Sequence, residues 1–175
     1  MYNQSTQKFS YQEKKAINAL LFVISKVHNL YNIVKVFYFA DKDHLEKYGR
    51  LIFGESYIKM AAGPVPSNIY DILKFVRGEA KDLNPEFLEL IEAKNDNTFY
   101  VKKEADLDYL SESDILCLTK AITNYGTSHH SALYRKSHDE AYNNAEMNNE
   151  ISLESIINTL NNKNELKSYL SNLYS

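Results

Sequence analysis

The chain of 175 residues has one cysteine, Cys117, no tryptophan, three prolines and five glycines. A single thiol excludes an intramolecular disulfide and argues against a Cys-based zinc site, so a reducing compartment is expected. No apolar run approaches the ~20 residues of a membrane span. The run at 19–24 is short and Lys26 follows it. Residues 1–8 are polar and lack the basic-then-apolar layout of a secretory leader, so a cytoplasmic location without membrane contact is expected. Neither sign of charge dominates: the net charge is −3, which argues against a chain whose main work is gripping nucleic-acid backbone. No phosphate-cradling glycine loop, G-x-S-x-G elbow, Cys-x-x-Cys or H-E-x-x-H is present.

What remains is rich in helix formers, and fourteen tyrosines supply amphipathic rings for a core or a binding face. Residues 1–9 read as a flexible start. Ser10 and Glu13 have the spacing of a capping box. Behind them Ile17, Leu20, Leu21, Ile24 and Val27 lie on one face of a helix over about 11–28. A second helix is expected over 31–48, with the stripe Val34, Phe37, Tyr38, Asp41, Leu45 and Tyr48. The segment 50–60 holds β-formers. Gly63-Pro64-Val65-Pro66 must be extended, and Ser67 is placed to cap a third helix that packs Ile69, Tyr70, Leu73 and Phe75 inward. Pro85 suits the start of a short helix over 86–90.

Two β-rich runs, 90–94 and 98–102, flank the polar tip Asn95-Asp96-Asn97 and read as a hairpin. Ser111 with Asp114 opens a further helix to about Tyr125, with Gly126 just past its end. Helices over 129–142, 152–160 and 163–174 follow, separated by an Asn-rich loop at 143–149. The expected fold is a single α+β domain over 10–175. It is mostly helical, with a small antiparallel sheet from the 50–60 segment and the 90–103 hairpin.

Asp41 is the first residue that breaks the pattern. An acid in the middle of an apolar stripe must be hydrogen-bonded or paired, because an unpaired buried charge is costly. It either pairs with nearby backbone or with Arg50 and sets the packing, or joins His44, Arg50 and Tyr57 around a recognition groove.

The stretch Tyr38-Phe39-Ala40-Asp41, His44-Leu45, Tyr48-Gly49-Arg50 continues through Gly54, Tyr57 and Met60 to Gly63-Pro64-Val65-Pro66-Ser67 and Tyr70-Asp71. This spacing resembles the signature of the SocA-like antitoxins, the Panacea domain, which include phage-associated GepA-like proteins. Leu110-Ser111, Asp114, Tyr125-Gly126, Leu133, Ser137-His138, Ala141 and Ile151-Ser152 resemble its C-terminal half. The resemblance covers roughly 10–160. It departs at Tyr142, where members often carry tryptophan. The resemblance implies a bacterial antitoxin of a toxin–antitoxin system. Such a protein binds and neutralises a cognate protein toxin, and in one branch delivers it to an ATP-dependent protease as a proteolytic adaptor. It implies no catalytic residues and no cofactor. The motif positions Asp41, His44, Tyr48, Arg50, Tyr57, Gly63, Pro64, Val65, Pro66, Ser67 and Tyr70 become a candidate partner-binding surface.

Two other classes stay open at this level. Asp41 and His44 stand i, i+3, as a metal-assisted hydrolase could use them, but His129, His130 and His138 are not spaced for one coordination shell. The helices around 125–128 imitate a helix-turn-helix, as a DNA-binding autoregulator would, yet the second offers only Arg135 and Lys136 against Asp139 and Glu140. Cys117, beside Ile115 and Leu118, reads as a core residue.

Overall fold

A computed structural model describes residues 9–79 and 82–173 of the chain. The expectation of a flexible start therefore lies, for residues 1–8, outside the described residues, as does position 174 of the last expected helix. The elements in order are α1 (Glu13–Ile24), α2 (Leu30–Tyr48), β1 (Tyr57–Met60), β2 (Gly63–Pro66), α3 (Ser67–Val76), α4 (Phe87–Leu90), β3 (Ile91–Asn95) and β4 (Thr98–Val101). A 3-10 turn (Leu107–Tyr109) leads to α5 (Glu112–Tyr125), α6 (His130–Ser137), α7 (Glu140–Asn144), β5 (Glu150–Ile151), α8 (Leu153–Asn158) and α9 (Lys163–Leu173). This is the expected predominantly helical α+β domain.

α2 is the axis of the fold. Between positions 33 and 41 every side chain except Phe39 is buried, as expected of a helix that is apolar all round. Its faces feed two cores. Ile33, Val36, Phe37 and Ala40 join α1, α3, α5 and the β3–β4 hairpin. Tyr38 and Leu45 join Leu51, Tyr57 and the C-terminal helices.

Several local expectations are overturned by longer-range contacts. The Ser10–Glu13 capping box does not form. Gln12 is the N-cap without a side-chain bond, and its N–H donates to the Phe53 carbonyl at 2.9 Å. α1 also ends at Ile24, although Val27 still enters the core. Ser67 does not cap α3; Pro66 precedes the helix and the caps come from Glu55. Gly126 is right-handed at φ −60° and not a left-handed cap. A Cβ there would sit 2.9 Å from Val27 Cγ2, so the glycine serves close packing.

The β-structure differs as well. The 50–60 segment and the hairpin do not share a sheet. β1 pairs with β2 and with β5, in the order β2-β1-β5, and β3–β4 stands apart. As an edge strand β2 tolerates Pro64 and Pro66, which have no N–H to donate.

The single helix expected over 129–142 is broken. Asp139 accepts from the Tyr142 N–H through Oδ1 at 3.0 Å and so starts α7. Its Oδ2 receives the Tyr38 hydroxyl and the Lys42 ammonium, each at 2.8 Å. The break is set by this anchor on α2. The Ser111–Asp114 capping box, by contrast, forms as the spacing demanded.

Candidate partner-binding surface

The motif residues divide into an inner brace and an outer groove. Asp41 is buried where the two cores meet. Its Oδ1 accepts from the Ile52 N–H at 2.8 Å and its Oδ2 from the Tyr57 hydroxyl at 2.7 Å. Ile52 belongs to one core and Tyr57 to the other, so one carboxyl joins both. Burial raises its pKa to about 6, against the pull of those two donors. Arg50, the other candidate partner, is engaged elsewhere.

His44, fully buried, places Nδ1 at 2.9 Å from the Arg50 carbonyl, an acceptor, so that nitrogen carries the hydrogen. Its Nε2 lies 3.0 Å from Ser113 Oγ and 3.2 Å from Asp114 Oδ1. Arg50 donates to Asp114 at 3.0 Å, and Lys15 lies 2.7 Å from the other oxygen. Burial works against the Asp114 charge, but bonds from His44, Lys15 and Ser111 outweigh it and hold the carboxyl well below the usual range. The cluster ties α1, α2 and α5 together.

Glu55 is the third brace. Its Oε1 accepts from the N–H groups of Ser56 and Asn68, and its Oε2 from Ile69 N–H at 3.1 Å. A carboxylate at the amino end of α3 meets the positive end of the helix dipole.

The groove lies beside β2, lined by its Val65, and has a volume of about 810 Å³. Its walls are the first turn of α2 with Tyr31, the β1–β2 turn Ala61-Ala62, Val65 and Tyr70, and the 127–130 segment leading into α6. Lys35 lies at its floor, fully buried. Its ammonium donates to the Pro64 carbonyl at 2.8 Å and stands 5.0 Å from the Tyr31 ring centroid. Burial lowers its pKa to about 7. Gly63 makes room for it: φ is +113°, and a Cβ would fall 2.7 Å from Lys35 Nζ. Rings extend the wall along α6. Tyr31 stacks on His130 at 4.0 Å, and Tyr134 on His138 at 3.7 Å.

Of the eleven motif positions, Val65 and Tyr70 line the groove, and Gly63 and Pro64 back it through Lys35. Asp41, His44 and Tyr57 are interior and share no surface with it. Tyr48 is 43% exposed and stands over His44, and Arg50 is half-buried in the Asp114 cluster. Pro66 is buried, and Ser67 donates its N–H to the Ser56 carbonyl.

Lys35, Glu55 and the Asp139 anchor were missed in the sequence. Lys35 had a signal: a lone cation inside the run 33–40 has no solvent face to occupy. Glu55 had none, because its partners lie thirteen and fourteen residues on.

Cys117 is buried, and burial pushes its thiol up to about 12. Among the described residues no three His, Cys, Asp or Glu side chains form a group that could hold a metal ion. None of the described helices is long and apolar enough to cross a membrane.

No curated protein and no solved structure gives a significant match to the chain. A family model does match, described as antitoxin SocA-like, Panacea domain, over residues 33–143. That stretch is more than half of the chain and runs from the first turns of α2 into α7. It takes in the brace residues Asp41, His44, Arg50, Glu55, Tyr57 and Asp114, and most of the groove wall. The chain belongs to the SocA-like antitoxin, Panacea domain family.

Proposed function

We propose that this protein is the antitoxin of a toxin–antitoxin pair and that it acts by binding a cognate protein toxin rather than by catalysis. One observation carries the reading: the family matched over 33–143 is one of antitoxins. In this reading the motif does two jobs. Asp41, His44, Arg50 and Tyr57 hold α2 against the segment 50–57. That brace presents the Gly63–Pro66 strand, Val65 and Tyr70 as part of a groove that takes up the toxin. Tyrosines at its wall suit the task, since tyrosine is enriched where binding energy concentrates.

The test is growth rescue. The open reading frame beside this gene is induced alone and together with this protein. Arrest by the neighbour and recovery on co-expression support the reading; a harmless neighbour, or arrest without recovery, overturns it. Repeating the rescue in a host lacking its ATP-dependent proteases separates direct neutralisation, which persists, from delivery to a protease, which is lost.

A further inference from the structure

The groove has a chemistry of its own. The chain as a whole carries net charge −3. Yet no aspartate or glutamate is among the groove's described lining residues. Two helices begin at it: Tyr31 and Asn32 belong to the first turn of α2, where Asn29 caps the Tyr31 N–H, and His130 opens α6, where His129 caps the Ser131 N–H. Helix amino ends carry partial positive charge. Beneath them lies Lys35, for which no carboxylate partner exists among the described residues; its polar contact is the Pro64 carbonyl. Other cations near the groove are already neutralised: Lys74 pairs with Asp71 and Arg77 with Glu79. Apolar surface from Val34, Met60 and Val65 completes the lining.

These features point to an occupant that is apolar in part and negatively charged. The volume of about 810 Å³ falls within the range of sites that enclose a ligand, about 300–1,000 Å³. We propose that this groove receives an acidic segment of the partner protein, its apolar side chains against Val34, Met60 and Val65 and a carboxylate at the Tyr31–His130 end, above Lys35. A carboxylate there stands near two helix amino ends and favours the charged form of Lys35, which lies beneath without a carboxylate of its own, and no lining carboxylate repels it. The inference rests on the antitoxin reading for the identity of the partner, and on the groove itself for the charge it selects.

The experiment needs no toxin. A phage-displayed random dodecapeptide library is panned against the full chain. The enriched peptide is then titrated by fluorescence anisotropy against wild type, Ala61→Glu, Ala61→Lys and Lys35→Met. Ala61 is exposed in the β1–β2 turn, so its variants keep the fold. The expected result is enrichment of Asp and Glu in the selected sequences. Ala61→Glu should weaken binding about fivefold and Ala61→Lys should not weaken it, the size expected of a rim charge. Lys35→Met should weaken it as well. Selected peptides without an acidic excess, no enrichment over a target-free control, or affinity indifferent to both Ala61 variants would each overturn the proposal. Failed growth rescue with acidic peptides selected would sink the antitoxin reading and leave the groove's preference standing.

Discussion

Replacing Asp41 separates a structural brace from a recognition residue, and the structure sets the size of the effect. Asp41→Ala leaves the Ile52 N–H and the Tyr57 hydroxyl without their acceptor inside the protein. Each unsatisfied buried group costs about 1–3 kcal/mol, so the loss is about 4 kcal/mol when the wild-type carboxyl is protonated. Protonation matters because burial raises the folded pKa to about 6, whereas the unfolded value is about 3.9. The folded state thus binds the proton more tightly. The stability this contributes is full below the unfolded pKa and is lost as pH rises through 6. Between pH 5 and 7.5 wild type should lose about 1.4 kcal/mol on this account.

Asp41→Asn imitates the protonated acid at every pH. Its difference from wild type should therefore shift by the same about 1.4 kcal/mol in favour of asparagine over that interval. Urea unfolding followed by circular dichroism at the two pH values measures both. With a slope near 2 kcal/mol/M, Asp41→Ala should move the midpoint down by about 2 M at pH 5. Asp41→Asn should still rescue growth, because the groove is untouched. A loss below about 1 kcal/mol for Asp41→Ala, or a pH-independent gap between Asp41→Asn and wild type, would refute the reasoning.

Further outcomes follow from the same geometry. Lys35 has a folded pKa near 7, below its ordinary 10.5, so wild type should gain stability on its account as pH rises from 7. Any advantage of Lys35→Met should shrink by about 3 kcal/mol between pH 7 and 9.5, read from paired denaturant titrations. Asp114→Asn strands Lys15 and Arg50 beside a buried site and should cost about 3 kcal/mol at neutral pH. Because the wild-type carboxyl is held low, that gap should close as pH falls below about 4, visible in acid unfolding curves. Gly63→Ala forces a Cβ against Lys35 Nζ and Ser137 Oγ at a positive φ, and should lower Tm by about 6–12 °C in a calorimetric scan.

Elements governed by neighbours in the chain were legible. The apolar run of α2, the Ser111–Asp114 box and the β3–β4 hairpin all formed, because their hydrogen bonds and periods close within a few residues. Where a distant group competed, local signals failed. Ser10 and Glu13 had the right spacing, but the backbone at Gln12 pairs with Phe53 instead. The helix expected over 129–142 breaks at Asp139, whose local cap on the Tyr142 N–H is held in place by the distant Tyr38 and Lys42. The two sheets separate because β5, about ninety residues after β1, takes the edge that the hairpin was expected to fill.

The candidate site divides the same way. Sequence alone determined that Asp41 needed a partner, since charge in an apolar stripe is unstable without one. It also carried, through the spacing from Tyr38 to Tyr70, the resemblance that the family match bears out. Only the tertiary structure decided that the partners are Ile52 and Tyr57, that His44 and Arg50 converge on Asp114, and that Lys35 lies beneath a groove free of carboxylates among its described walls. The reason is physical. A requirement for burial or pairing belongs to one residue and its period, whereas the group that meets it is chosen by how distant segments pack.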